Sequence, residues 1–311
     1  MPKGVDPLIV DLYLCDYCDR GCYYCQFAES RRGGMMALET LQAGLKLASQ
    51  WHGHLQLQIS GTGEPLLHPR LYRMIEEVLS LQRPETILFY TSGCRNRREE
   101  ELLASIAPLI NGPLHADTTY PVVDLIVKYD GTEEAAERIR RTLQLPIIHT
   151  QVAIQVTPPY TEETWLKMRR EAEQLVRASG FTFRRSVEDP DAEEDTRVWQ
   201  KKERYAFICR RAISPIGKWA ENLPGYSNLA GEQWAWEEES GVYYWALHVN
   251  GRVAFCENAT RGLLSISNFQ SLTELHRHLH DLRRRYHHKD QATHPEVCNS
   301  CPVHLGTTAD P

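Results

Sequence analysis

The stretch Cys15-Asp-Tyr-Cys18-Asp-Arg-Gly-Cys22-Tyr-Tyr-Cys25 holds four of the chain's nine cysteines. Within it, Cys18-x3-Cys22-x2-Cys25 puts three thiols on one short loop. Three thiolates can hold three irons of a [4Fe-4S] cube and leave the fourth iron without a protein ligand. A cluster built for electron transfer usually has four cysteines, so an open iron is a place for a small molecule to bind. The same residues also allow a zinc site, with Cys15 as fourth thiolate, or ordinary buried cysteines.

The spacing, with Tyr24 just before the last cysteine, resembles the signature of radical S-adenosylmethionine (SAM) enzymes. The resemblance implies cluster ligands at Cys18, Cys22 and Cys25, an adenine-side aromatic at Tyr24, and SAM chelated on the open iron. One electron then cleaves SAM to a 5′-deoxyadenosyl radical that takes a hydrogen atom from substrate. Gly61-Thr62-Gly63-Glu64-Pro65 resembles the family's GGEP motif, which implies that this turn binds the methionine ammonium of SAM; Thr62 departs from the usual glycine. Glycines suit a backbone that must approach a ligand closely. Thr91-Ser92-Gly93 is similar to the family's TNG turn, with Ser92 in place of asparagine. The family often places a polar residue facing SAM or substrate where this chain has Lys128, Tyr129 and Asp130. Lys128 departs from that pattern and is expected to touch a carboxylate or to pair with Asp130. Gln155 and Thr157 are candidates for the SAM ribose.

These residues need a scaffold. Strand-like runs at Leu8–Leu14, Leu55–Ser60, Thr86–Thr91, Leu125–Tyr129, Ile147–Val156 and Phe181–Ser186 alternate with helical spacing at Ala37–Trp51, Leu71–Leu81, Arg98–Ile110, Glu133–Leu143 and Glu162–Ser179. Repeated strand–helix units imply a parallel sheet with right-handed crossovers. The expected fold is α/β, a partial (β/α)6 TIM-like barrel. In such barrels chemistry sits in the loops after the strands' C-terminal ends. The cysteine loop, Gly61–Pro65, Thr91–Cys94 and Lys128–Gly131 all fall there.

After Ser186 the character changes. Glu188–Asp195 is strongly acidic and reads as a solvated loop, or as a stretch that steers a cationic substrate. Thr196–Arg211 reads as a basic helix bridging to a second region. Val242–His248, the turn Asn250-Gly251 and Arg252–Cys256 read as a hairpin, followed by a helix at Leu272–Tyr286 and then Cys298-Asn-Ser-Cys301. A hairpin cysteine, a helix and Cys-x2-Cys are similar to the SPASM and shorter twitch extensions of the same family. That implies a second, auxiliary [4Fe-4S] cluster on Cys256, Cys298 and Cys301, with Cys209 chosen as fourth ligand; a zinc site of the same thiols is the alternative. The expected domains are residues 1–195, the barrel, and 196–311, the twitch-type extension. His276, His278 and His280 lie on the last helix at spacings that do not bring side chains together, so they read as a wet basic face. Trp234, Trp236 and Trp245 read as core or pocket lining.

A net charge of −6 gives no support for a nucleic-acid surface. The sequence has no long apolar run and no signal-peptide pattern, so a cytoplasmic protein with no membrane contact is expected. Twitch-bearing members of the family include epimerases and dehydrogenases of aminoglycoside and aminocyclitol pathways. The resemblance therefore implies hydrogen abstraction from a carbon of a small sugar-like substrate, with an external one-electron donor such as flavodoxin or ferredoxin. Epimerisation needs a hydrogen donor, usually a thiol. Cys15 and Cys94 are not assigned to clusters, and Cys209 joins them if it is not a ligand. The competing expectations are an aminocyclitol dehydrogenase that passes an electron to the auxiliary cluster, a peptide-modifying enzyme of the same family, and a non-catalytic zinc or iron–sulfur module.

Overall fold

Leu55, Leu57 and Ile59 alternate with Gln56, Gln58 and Ser60, and only the apolar set is buried, as a sheet with one covered face requires. The same logic recurs along the chain. The computed structural model describes residues 7–22, 25, 33–81, 84, 86–112, 122–156, 161–187, 196–212, 243–254 and 264–287. The elements in order are β1 (Leu8–Tyr13), α1 (Leu38–Ala48), β2 (Leu55–Ser60), α2 (Leu71–Ser80), β3 (Thr86–Thr91), α3 (Arg97–Asn111), β4 (Val122–Tyr129), α4 (Glu133–Gln144), β5 (His149–Val156) and α5 (Glu162–Ala178). Then follow β6 (Thr182–Val187), β7 (Thr196–Lys201), β8 (Arg204–Ala212), β9 (Tyr243–Leu247), β10 (Arg252–Ala254), β11 (Leu264–Ser265) and α6 (Leu272–His287). Three of the helices, α3, α4 and α5, begin where a side chain caps them. Asn96, Thr132 and Thr161 each accept a hydrogen bond from the backbone three residues on, and glutamates fill the first turns.

The chain forms two compact units: one from Met1–Leu57, Gly61–Gly63 and Ser214–Pro311, the other from Gln58–Ser60 and Glu64–Ile213. In the first, β1 runs parallel to β9, with Leu8 level with Tyr243 and Leu12 with Leu247. β10 returns antiparallel to β9, and β11 pairs with β10. Helix α1 sits tightly on β9: a Cβ at Gly44 would lie 2.5 Å from Leu247 Cδ2. Trp245 is buried, as expected of a core residue. On α6, His278 and His280 are exposed. His276 departs from the expected wet face, because its ring stacks on Tyr243 at 5.0 Å and 10°.

In the second unit β3, β4, β5 and β8 are parallel neighbours. The fold is therefore mixed α/β with a parallel sheet core, consistent with a partial (β/α)6 barrel, and the sheet is not closed. Two expectations are corrected. The segment Thr196–Arg211 is not a helix but the β7–β8 hairpin, and the neighbour of β5 is β8. β6, read as the sixth parallel strand, pairs antiparallel with β7 at the edge. The charged residues of this segment suggested a helix, but its apolar ones alternate as in a strand. Ala206 and Ile208 are buried on one side, with Tyr205 and Phe207 on the other. Lys202, at φ 56°, makes the tight turn. Arg204 then fixes β8 beside β5, donating through Nε to Ile147 O at 3.0 Å and through Nη2 to Leu143 O at 2.6 Å.

Candidate functional site

The first unit presents the cysteine loop. Its two ends are stitched together: Asp16 N donates to Gly34 O at 2.9 Å, Met36 N to Leu14 O at 2.9 Å, and Cys15 pairs with Met35 as an antiparallel bridge. Cys15 itself is buried, and its thiol donates to Tyr17 O at 3.1 Å while accepting from Tyr17 N at 3.3 Å. Cys18, Cys22 and Cys25 are partly exposed, and none is in a disulfide. Cys25 N donates to Cys22 O at 3.1 Å, so the last two thiols share one turn. Between the first two sits Arg20, whose side chain is buried and paired with Asp19 at 3.1 Å.

Gly61 and Gly63 are pressed onto this loop. Gly61 has φ +119°, and a Cβ there would lie 2.7 Å from the Tyr13 ring. A Cβ on Gly63 would come within 2.5 Å of the carbonyl oxygens of both Cys15 and Tyr17. The glycines thus fix the Gly61–Gly63 turn directly beneath the cysteine loop's first limb, with Thr62 buried beside them. Tyr13 also meets His248 edge-on at 4.8 Å. His248 is buried, and its Nε2 has no hydrogen-bond partner among the described residues. Loss of hydration pushes this imidazole down to about 4.

The second unit holds the remaining motifs. Glu64 is buried, and both its carboxylate oxygens are engaged. Oε1 accepts from Leu66 N at 3.1 Å and Thr91 Oγ1 at 2.6 Å; Oε2 accepts from Ser92 N at 2.9 Å and Ser92 Oγ at 2.5 Å. From the helix side, Arg138 Nε donates to Ser92 O at 2.8 Å. Cys94 is fully buried beneath α4, where its N–H donates to Thr142 Oγ1 at 3.0 Å. Burial pushes its thiol up to about 12. Asp130 does not pair with Lys128 as expected. Its Oδ1 accepts from Thr132 N at 3.1 Å and Thr132 Oγ1 at 2.6 Å, ahead of α4.

The face of this sheet turned away from the helices mixes polar residues with Ile126, Ala153 and Phe207, ordered in rows. Val127 and Tyr129 point to the helix side: a Cβ at Gly93 would meet Val127 and Thr142 together, and Tyr129 donates to Glu171 on α5 at 2.9 Å. Lys128 therefore faces the other way. It is level with Ala153, and Ala153 is level with Cys209. One row below, Gln151 Nε2 contacts Cys209 Sγ at 2.7 Å. One row above, Gln155 is buried and donates to Ala153 O at 3.2 Å. At the strands' start His149 pairs with Asp124 at 3.2 Å, against the rings of Tyr205 and Phe207. Sequence reasoning missed Arg20, Gln151 and His248. Gln151 was legible in principle, since it shares a strand face with Gln155; Arg20 and His248 carried no signal beyond position. Tyr24, Thr157, Cys256, Cys298 and Cys301 lie outside the described residues, as do Trp234 and Trp236.

The Radical SAM superfamily matches residues 12–172, just over half of the chain. No curated protein sequence matches. Among solved structures the chain is similar to Streptococcus suis SuiB bound to the precursor peptide SuiA, with TM-score 0.54, 10% identity, and coverage of 97% of this chain and 70% of that one. It is also similar to anSMEcpe with bound AdoMet, with TM-score 0.51, 13% identity, and coverage of 95% and 88%. A third similarity, to BtrN in complex with AdoMet and 2-DOIA, has TM-score 0.42 and 15% identity over 92% of this chain and 88% of that one. The cysteine loop, the glycine turn beneath it and the half-open parallel sheet define an iron–sulfur enzyme of the SAM-cleaving type. The chain belongs to the radical SAM superfamily.

The donor set fits the group the family carries: three thiols outside any disulfide, on one partly exposed loop. No three His, Cys, Asp or Glu side chains among the described residues are gathered closely enough to grip a metal ion. Cys18, Cys22 and Cys25 are the residues that would hold such a cluster, and metal binding commonly orders its own ligand loop. Among the described residues, no helix is long and apolar enough to cross a membrane.

Proposed function

We propose that this radical SAM enzyme epimerises a sugar or aminocyclitol carbon of an aminoglycoside-like natural product, with Cys209 as hydrogen donor. Cys18, Cys22 and Cys25 would hold a [4Fe-4S] cluster, which when bound would supply the one-electron chemistry that cleaves SAM and so generates the hydrogen-abstracting radical. Cys209 then gives its thiol hydrogen to that carbon from the opposite face. The resulting thiyl regains one electron and one proton before the next turnover, the electron coming from an external donor.

The observation that supports this reading is the different surroundings of three thiols. Cys15 and Cys94 have 0% exposure. Cys209 is partly exposed on the sheet face away from the helices and oriented by Gln151. In this reading an auxiliary [4Fe-4S] cluster of a twitch-type extension sits on Cys256, Cys298 and Cys301 without Cys209.

The test is turnover of an aminoglycoside panel by reconstituted enzyme with SAM and dithionite in deuterated water. One deuterium at one inverted carbon is expected. Cys209→Ala should still form 5′-deoxyadenosine but incorporate none. Full conversion by Cys209→Ala, or a product lighter by two hydrogens, overturns the reading.

A further inference from the structure

Lys128 and Cys209 lie in one row of the sheet, with Ala153 between them. Neighbouring strands are about 4.8 Å apart, so their Cα atoms are separated by roughly 10 Å. Ala153 offers no side chain beyond Cβ, so nothing bulky rises from the middle strand. Lys128 and Cys209 share a face of the sheet, and a lysine stem is long and flexible enough to carry its ammonium over a small neighbour. Lys128 makes no hydrogen bond or ion pair with any described residue. The carboxylates on its own strand are engaged elsewhere: Asp130 with Thr132, and Asp124 with His149. A partly exposed cation with no counter-charge among the described residues therefore shares a row with Cys209, the one thiol of this face among those residues.

We propose that Lys128 binds an oxyanion of the substrate, a carboxylate or a phosphate, and so holds the reacting carbon over Ala153 within reach of Cys209. This rests on Cys209 being the hydrogen donor. It narrows the aminoglycoside-like substrate to a derivative that carries a phosphate or carboxylate, so the deuterium panel must include phosphorylated members. Lysine suits the task because it grips an oxyanion as a point charge and demands no fixed plane.

The test reads the charge at the sulfur without turnover. The full chain is alkylated with iodoacetate and, separately, with neutral iodoacetamide, and labelling of Cys209 is followed by peptide mass spectrometry. Lys128 should raise the iodoacetate-to-iodoacetamide rate ratio about threefold to tenfold over that of Lys128→Met or Lys128→Gln at low salt, the range expected of one charge a few ångströms away. Lys128→Arg should keep most of it. Inorganic phosphate or acetate, at matched ionic strength, should protect Cys209 in the wild type but not in Lys128→Met. The more protective anion names the substrate group. An unchanged ratio, or protection by neither anion, overturns the oxyanion role and leaves the hydrogen-donor reading to its own deuterium test. If Cys209 is labelled by neither reagent, both fall.

Discussion

Glu64 shows how much one side chain arranges here. A carboxylate has about four acceptor positions, and protein donors from Leu66, Thr91 and Ser92 take four. Glu64 thereby ties the glycine turn's exit to the end of β3. In Glu64→Gln one acceptor becomes a donor that faces donors. The expected cost is about 1–3 kcal/mol, read as a lower Tm, together with faster alkylation of Cys94 as the Thr91–Cys94 turn loosens. A weaker SAM affinity with unchanged Tm and unchanged Cys94 labelling would instead make Glu64 a direct ligand. His248 gives a pH dependence. Unfolded, its imidazole takes a proton near 6.5; folded, it resists until about 4. Its stabilising effect is complete above 6.5 and is lost as pH falls toward 4, by up to about 3 kcal/mol. Denaturant unfolding at pH 7 and pH 5 should show the loss in wild type and a smaller one in His248→Phe.

At the scale of elements, the helices and most strands were legible. Capping residues, acidic first turns and alternating apolar positions are local signals, and α3, α4 and α5 follow them. The β7–β8 hairpin was not, because Thr196–Arg211 is rich in lysine and arginine and its strand character depends on what lies beside it. Phe181, Leu143 and Ile147 decide that Arg204 packs as the first residue of a strand. Gly63 is an element-level constraint of another kind. It needs no unusual φ, but a methyl there would strike two carbonyl oxygens that belong to backbone and cannot swing aside. Gly63→Ala should destabilise the fold by about 1–3 kcal/mol and weaken SAM binding, as calorimetry and equilibrium dialysis would show. An unchanged Tm and affinity would mean the turn does not pack on the cysteine loop.

For the molecule as a whole, metal content is the direct measurement. Two cubes predict about eight irons per chain after anaerobic reconstitution. Removing Cys18, Cys22 and Cys25 together should leave about four irons and abolish SAM cleavage, whereas Cys256→Ala should keep SAM cleavage and lose the other four. Colourless protein with zinc would contradict both.

The sequence by itself determined the class of chemistry and the α/β fold. Cluster ligands lie close together in the chain, and so do the turns of the SAM motif, so their spacing carries the information. What only the tertiary structure decided is which thiol faces what. Cys94 follows a Thr-Ser-Gly turn and Cys209 an apolar run, but neither context tells which thiol is buried. Packing against Thr142 of α4 buries Cys94, and strand register puts Cys209 in one row with Lys128 across Ala153, because such neighbours are fixed by contacts between distant segments.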